Sequence, residues 1–463
     1  MKIPKHLTSP WLTLVAITVA GCGGPKEAHT KTDEKSSNPG VTLQCSPETL
    51  PFKITESPLL ELTAKQDAAR LFDTGQLSLS PNLRKVAHAA SVIEGRRTRI
   101  GVTGRSFHYC RSLFDLNTDG EKFLWSPDSK RLACVVELDG GQSVMVDGVP
   151  GPTYEGIGSD SLRFSSDGQK LAYAANRWNE DLWDVVVNGK VVDTADRVGP
   201  MQWMQEGTSL SYFLLRDGQW EHVVGDRRIK AQSLTPELSA LSADGSRYVF
   251  AQAQDGKMVL NTNGKLSKPI RIISPLDVPE EPKLIMSPDG LRVACITLPQ
   301  PKQVRLLLDG KVGERFESLA KITFSPDSKR VGYATFKGLD WRVVVDGLLS
   351  EPVDGVAHLE FSANSEHFAQ LTTVRGNFVL TVDGVEHGPF DSVSREGFQF
   401  SGDSEHWIIV GKRAGGRVLV VDGTEIDIRG QCLGVYGTRK GFRVAILRGN
   451  TIVVKEIEPA GTL

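Results

Sequence analysis

The sequence lacks most of the motifs that carry chemistry. No Gly-x-Ser-x-Gly elbow occurs, so the exposed nucleophile of a serine peptidase domain is missing. His-Glu-x-x-His and the phosphate-cradling Gly-rich loop ending in Lys-Ser/Thr are also absent. No Cys-x-x-Cys pair exists, and no Cys/His spacing suits zinc. Charge of one sign is not in excess: 54 basic against 56 acidic residues give a formal net charge of −2. That balance argues against nucleic acid as the main partner, and no basic run or acidic tail changes it. Long apolar runs are missing too. The stretch Trp11 to Ala20 is too short to span a bilayer stably.

What is present is repetition. Phe324 to Gly347 reads FSPDSKRVGYATFKGLDWRVVVDG. Phe324 ends a short apolar segment. Ser325-Pro326-Asp327-Ser328 is a turn, because Pro pre-sets φ and Asp and Ser hydrogen-bond nearby backbone. Arg330 to Thr335 and Trp341 to Val345 read as strands, with a loop containing Gly338 between them. Asp346-Gly347 is a hairpin signal, since a type I′ turn needs φ > 0 twice. A fourth strand is expected near Glu351 to Val353. The unit is four short antiparallel strands, a to d.

Copies follow at Leu79, Trp125, Phe164, Trp203, Leu241, Met286, Phe324, Phe361, Phe400 and, degenerately, Gly437. The hairpin dipeptide recurs at Asp147, Asn188, Asn263, Asp309, Asp346, Asp383 and Asp422, each before Gly, with Gly225-Asp226 as a variant. About ten repeats of roughly 39 residues, with four strands each, predict an all-β fold: a β-propeller of four-stranded antiparallel blades. Val185 to Val187, Leu306 to Leu308 and Val343 to Val345 are apolar on both faces, as strands covered by neighbouring blades should be.

The expected organisation is a processing segment over 1–21, a tether over 22–50 and the propeller over 51–463. Lys2 and Lys5 precede the short apolar core, which ends in Val19-Ala20-Gly21-Cys22. These residues resemble the bacterial lipobox. The resemblance implies cleavage before Cys22 and a diacylglycerol on its thiol; the alternative is an ordinary secretory signal with a chance Cys. Gly23 in place of Asp, by the same resemblance, favours the outer membrane, with the folded part in the periplasm or at the cell surface. Gly23 to Gly40 is polar and Gly/Pro/Ser-rich, a disordered tether with a reach of about 25 Å.

The last unit lacks its strand d. The stretch Pro51 to Thr74 belongs to no full repeat, and Leu71-Phe72-Asp73 matches the Phe390-Asp391 segment. An N-terminal strand from within 51–78 is therefore expected to close the ring and cover two open edges. One ring is favoured over two. Cys134 and Cys295 occupy the strand-b position of Tyr173 and Tyr333 and read as buried apolar residues. Cys45, Cys110 and Cys432 fall outside that register and permit a disulfide in an exported protein.

The copies FSPDSKRVGYA, MSPDGLRVACI, WSPDSKRLACV and FSSDGQKLAYA resemble the repeats of TolB-like and WD-repeat-like β-propellers, from Leu79 onward. That resemblance implies strand a at the central channel, strand d outermost, and a non-catalytic, protein-binding role in the bacterial envelope. Val-Asp-Gly replaces the Trp-Asp ending of eukaryotic repeats.

Each candidate site has a plain structural counterpart. The turn aspartates Asp128, Asp167, Asp244, Asp289, Asp327 and Asp403 could hold Ca²⁺, but Asn82 and Asn364 fill the same slot, which fits an Asx turn. His367 and His406, each after Ser-Glu, could hold a metal, or could be a solvated pair replacing Arg330. A channel-metal hydrolase would need carboxylates on strand a, where Ser80, Ser126, Ser165, Ser242, Ser287, Ser325, Ser362 and Ser401 stand instead. Nothing asks for a cofactor. The a–b and c–d turns are tight and share one face. The b–c loops vary and, with the d–a connections, make the opposite face, where binding residues are expected. Arg177, Trp178, Trp220, Lys337, Arg375, Lys412 and Arg413 place basic and aromatic groups there, as a protein or glycan interface requires. The expected partner is an envelope protein; the alternative is a small ligand or glycan at the channel mouth.

Overall fold

The computed structural model describes residues 52–61, 77–92, 97–103, 105–117, 120–138, 140–204, 209–230, 238–254, 257–270, 284–300 and 303–460. Cys22, Cys45 and the Leu71-Phe72-Asp73 segment lie outside these.

The strands form ten antiparallel sheets that follow one another along the chain. Blade 7 is representative: Ser318–Phe324, Val331–Lys337, Asp340–Val345 and Leu348–Leu349 pair in that order. Blade 3 differs, because its strand a is split into Gly156–Ile157 and Arg163–Phe164, both paired to Leu171–Asn176. All ten positions from Leu79 to Gly437 are the last residue of a strand a. The chain is thus a ten-bladed, all-β propeller, with no α-helix among the described residues.

The turns adopt the geometry their residues favour. In Asp346-Gly347 both φ values are positive, 52° and 84°, and the same holds at Asp147-Gly148 through Asp422-Gly423. Asp and Asn tolerate this region because their short polar side chains bond locally. Asp346 Oδ1 accepts from Val331 N at 3.0 Å, tying the c–d turn to the start of strand b.

Ring closure uses the N-terminal strand. Phe52–Glu61 pairs antiparallel with Thr451–Pro459, Phe52 opposite Pro459, and is the outermost strand of blade 10. The apolar core is a series of clusters, one at each blade junction. The cluster joining Leu77 and Val86 of blade 1 to Leu433, Leu447 and Ile452 of blade 10 completes a single ring. Phe52 is buried against Ile408 and Ile457 at the junction of blades 9 and 10. Each fully buried Leu, Ile or Phe contributes about 1.5–3 kcal/mol.

The cysteines sit within this core. Cys110 and Cys134 share the junction of blades 1 and 2, and Cys295 that of blades 5 and 6. Burial pushes the Cys110 thiol up to about 11 and the Cys295 thiol to about 12. Cys432 packs toward blade 9 while Cys110 packs toward blade 2, so these two thiols face opposite junctions.

Candidate binding face

The two faces of the ring differ in how their polar groups are engaged. On the face of the a–b and c–d turns, the repeated Ser, Asp and Arg side chains of the turns are bound to one another and to nearby backbone. Ser325 is fully buried; its Oγ donates to Asp327 Oδ1 at 2.6 Å and accepts from Arg330 N at 2.9 Å. Asp327 Oδ1 also accepts from Lys329 N at 3.1 Å. These bonds, the Ser325 hydroxyl first, lower the Asp327 carboxyl to about 2. The other seven serines of this position are also buried, so they face the turn and not the channel. Asn82 and Asn364 accept the same serine hydroxyl, at 2.9 and 2.6 Å. These turn aspartates are thus engaged in Asx turns.

The cation at the start of strand b reaches its own c–d turn and the next blade. Arg330 Nε donates to Asp346 Oδ2 at 2.8 Å, and its guanidinium reaches Glu366 O of blade 8 at 3.3 Å. Arg131 and Arg292 repeat the arrangement. His367 and His406 take over the first half of this role, with Nδ1 2.6 Å from Asp383 and Asp422 respectively. Each histidine is therefore turned to the aspartate of its own blade.

The opposite face carries the b–c turns. Carboxylates just before strand a reach up to hold them. Gly338 N donates to Glu317 at 3.0 Å, Gly376 N to Asp354 at 3.2 Å and Gly415 N to Asp391 at 3.2 Å. Three successive blades, 7, 8 and 9, thereby present Lys337, Arg375 and Lys412, all exposed and without an ion pair to any described residue. Leu339, at the tip beside Lys337, is 91 % exposed.

The remaining predicted residues are placed differently. Arg413 contacts Glu425, donates to Pro389 O at 3.0 Å and lies 4.9 Å over the Phe390 ring. Trp220 belongs to Gln219–Val224 and packs at the junction of blades 4 and 5 with Phe213 and Phe250. Arg177 is bound to Asp184 at 2.9 Å and to Thr194 at 3.1 Å. Trp178 is half-exposed and lies against Gly141, where an added Cβ would stand 2.5 Å from its ring. Lys337, Arg375, Lys412 and Arg413 thus share one arc, Arg177 and Trp178 lie on blade 3, and Trp220 is part of the packing.

A cleft of about 260 Å³ opens between blades 2 and 3, its lining residue Gln142 adjoining the Gly141 that Trp178 covers. Phe114, Leu116, Ile157 and Leu162 line it, with Asp115, Gln142 and Ser159 at its polar edge. Gln142 already accepts from Ile157 N at 2.8 Å, and Asp115 is paired with Lys122. The split strand a of blade 3 creates this opening, a break not marked by any single residue type.

Two features escaped the sequence reading. Glu360 and His358 stand on strand a of blade 8, 3.0 Å apart and partly exposed, so strand a does carry a carboxylate. Their alternate positions before Phe361 were the available signal. The second is an ionic network across blades 3 and 4. Asp193 and Glu221 are buried and share Arg216 and Arg228; Glu221 also takes Lys230 at 2.7 Å. Burial raises the Asp193 carboxyl, but Arg228, Arg216 and Tyr212 outweigh it and leave it lowered.

No family model matches the chain, and no curated protein does. Solved structures with some likeness include the Dos1 propeller, at 11% identity and TM-score 0.33, covering 72% of this chain and 90% of that one. The β-propeller domain of Myceliophteria_thermophila Cps50 (Swd1) shares 9% identity at TM-score 0.27, over 65% of this chain and 98% of that one. An oligogalacturonate lyase in complex with manganese shares 11% at TM-score 0.31, over 64% and 98%.

Proposed function

We propose that this chain is a non-catalytic, lipid-anchored propeller of the bacterial envelope, at the outer membrane, that binds another envelope protein through its b–c face. The observation that carries the reading is the arc of Lys337, Arg375 and Lys412 on three successive blades, with Leu339 exposed at the blade 7 tip beside Lys337. Cations at rigid turn tips, with an exposed apolar residue beside one of them, suit a protein surface with carboxylates. The anchor reading rests on Cys22 and the segment before it.

Crosslinking and pull-down from native membranes tests it, comparing the wild type with a Lys337→Glu, Arg375→Glu, Lys412→Glu variant. One envelope protein recovered with the wild type and lost with the variant supports the platform. Equal recovery moves the partner to another face. No partner in either sample favours a second reading, a small ligand or glycan in the cleft beside Trp178, which titration with oligosaccharides against Trp178→Ala then examines.

A further inference from the structure

Exposed apolar side chains are distributed unequally over the ring. Val149, Leu266, Leu291, Val312, Leu348 and Val385 all lie on the face of the a–b and c–d turns, Leu348 being 79 % exposed. They occupy equivalent places on blades 2, 5, 6, 7 and 8: the first residues of strand d, or, for Leu291, the tip of the a–b turn. On the other face, among the described residues, only Trp178 and Leu339 are large, apolar and comparably exposed. A scattered exposed Val or Leu needs no explanation, but a crown repeated around one rim does.

Two further observations indicate what covers this crown. Lys190, Lys265 and Lys311 stand at the same strand-d starts, exposed and without an ion pair to any described residue. The described chain also begins on this face: Phe52 pairs with Pro459 at the c–d end of blade 10, and its ring is 6.1 Å from His406 of the blade 9 turn. Phe52, the first described residue, therefore lies at the crown side. Charge is graded, since Glu366, Glu386, Glu405 and Glu425 make blades 8 and 9 acidic at these positions.

We infer that this crown lies against an anionic lipid bilayer, with blades 2 to 7 seated on the headgroups and the b–c face turned outward. The inference rests on the anchored reading of Cys22. Apolar tips spread around a broad rim match a plane better than a compact partner. Lysines beside them attract anionic headgroups, and the acidic sector tilts away. A tether leaving from the same face keeps the local concentration of bilayer high, so individually weak contacts suffice.

The test uses the mature full chain in vesicles of zwitterionic phospholipid with a minority of phosphatidylglycerol. A fluorophore is attached at Leu348→Cys, Val312→Cys or Leu339→Cys in a Cys45→Ser background, and nitroxide lipid is the quencher. The expected result is several-fold quenching at 348 and 312 and none at 339. A Leu291→Asp, Leu266→Asp, Val149→Asp variant should lose the quenching at 348. Equal quenching on both faces, or quenching at 339 alone, overturns the inference. Mass analysis of Cys22 separates the two ideas. If Cys22 carries no lipid, the anchored reading fails. Chains labelled after a further Cys22→Ser change and mixed with the vesicles then still decide the crown: quenching at 348 supports it, and none overturns it.

Discussion

Ser211 Oγ lies 2.7 Å from Nε2 of His222, and both side chains are buried in blade 4. The His222 ring stacks on Phe213 at 4.0 Å between centroids, and its Nδ1 has no partner among the described residues. A buried serine–histidine pair with no access and no orienting group at Nδ1 is a packing element. Burial lowers the imidazole to about 4, with Arg227 adding to the effect.

The sign of the resulting pH dependence follows. The unfolded chain protonates His222 near its ordinary value of 6.5, while the folded chain resists until about 4. Stability is full above pH 6.5 and declines as pH falls toward 4, by about 3 kcal/mol from this group. In His222→Gln, denaturant midpoints measured from pH 7 to 4 should fall less steeply than in the wild type.

The turn aspartates act in a lower window. Asp128, Asp244 and Asp327 are each lowered to about 2 by the serine hydroxyl and then the backbone N–H two residues on. Stability from them is present above pH 4 and is lost as pH falls through 2. Asp327→Asn keeps the acceptor, as Asn364 does in blade 8, but loses the charge, so the thermal midpoint at pH 7 should fall modestly and its decline below pH 4 should flatten. Ser325→Ala strands the Arg330 N–H and should cost about 1–3 kcal/mol at every pH.

Phe52 tests the closure. It is buried against Ile457 and Ile408, and its strand covers the edge of Thr451–Pro459. Phe52→Ala should destabilise by about 3–5 kcal/mol in chemical denaturation. Deleting Phe52–Glu61 should give a chain that aggregates, seen by light scattering, because the edge of Thr451–Pro459 stays open.

The network of blades 3 and 4 responds to loss of its cations. Arg216→Ala leaves Asp193 and Glu221 with Arg228, Tyr212 and Lys230, so the cost is set at about 2 kcal/mol, below that of an isolated buried pair. Arg216→Ala with Arg228→Ala should exceed the sum of the single changes, measured as a double-mutant cycle.

The architecture was legible because each repeat states its own turns. Asp-Gly pairs and Ser-Pro-Asp segments specify local backbone, and their spacing alone locates every strand a. Direction was harder. Ser325 was expected at the channel, yet its hydroxyl turns into the fold to reach Asp327; the Ser-x-Asp spacing shared by six blades was the overlooked sign. His367 was seen to replace Arg330, but its partner Asp383 lies 16 residues on, across a hairpin whose register is known only once strands b and c are paired. The candidate face was legible in its turns. Which cations stay available was not, because Arg413 and Arg177 are engaged by residues from strands c and d.

Closure by the N-terminal strand also acts as a check on completeness. Phe52 to Glu61 is made before its partner, Thr451 to Pro459, which follows only after blades 1 to 9. A chain stopped anywhere before residue 451 offers two exposed strand edges and no means of covering them. Copies that end before residue 451 therefore remain open and adhesive, whereas in the finished ring Thr451–Pro459 pairs with both edges.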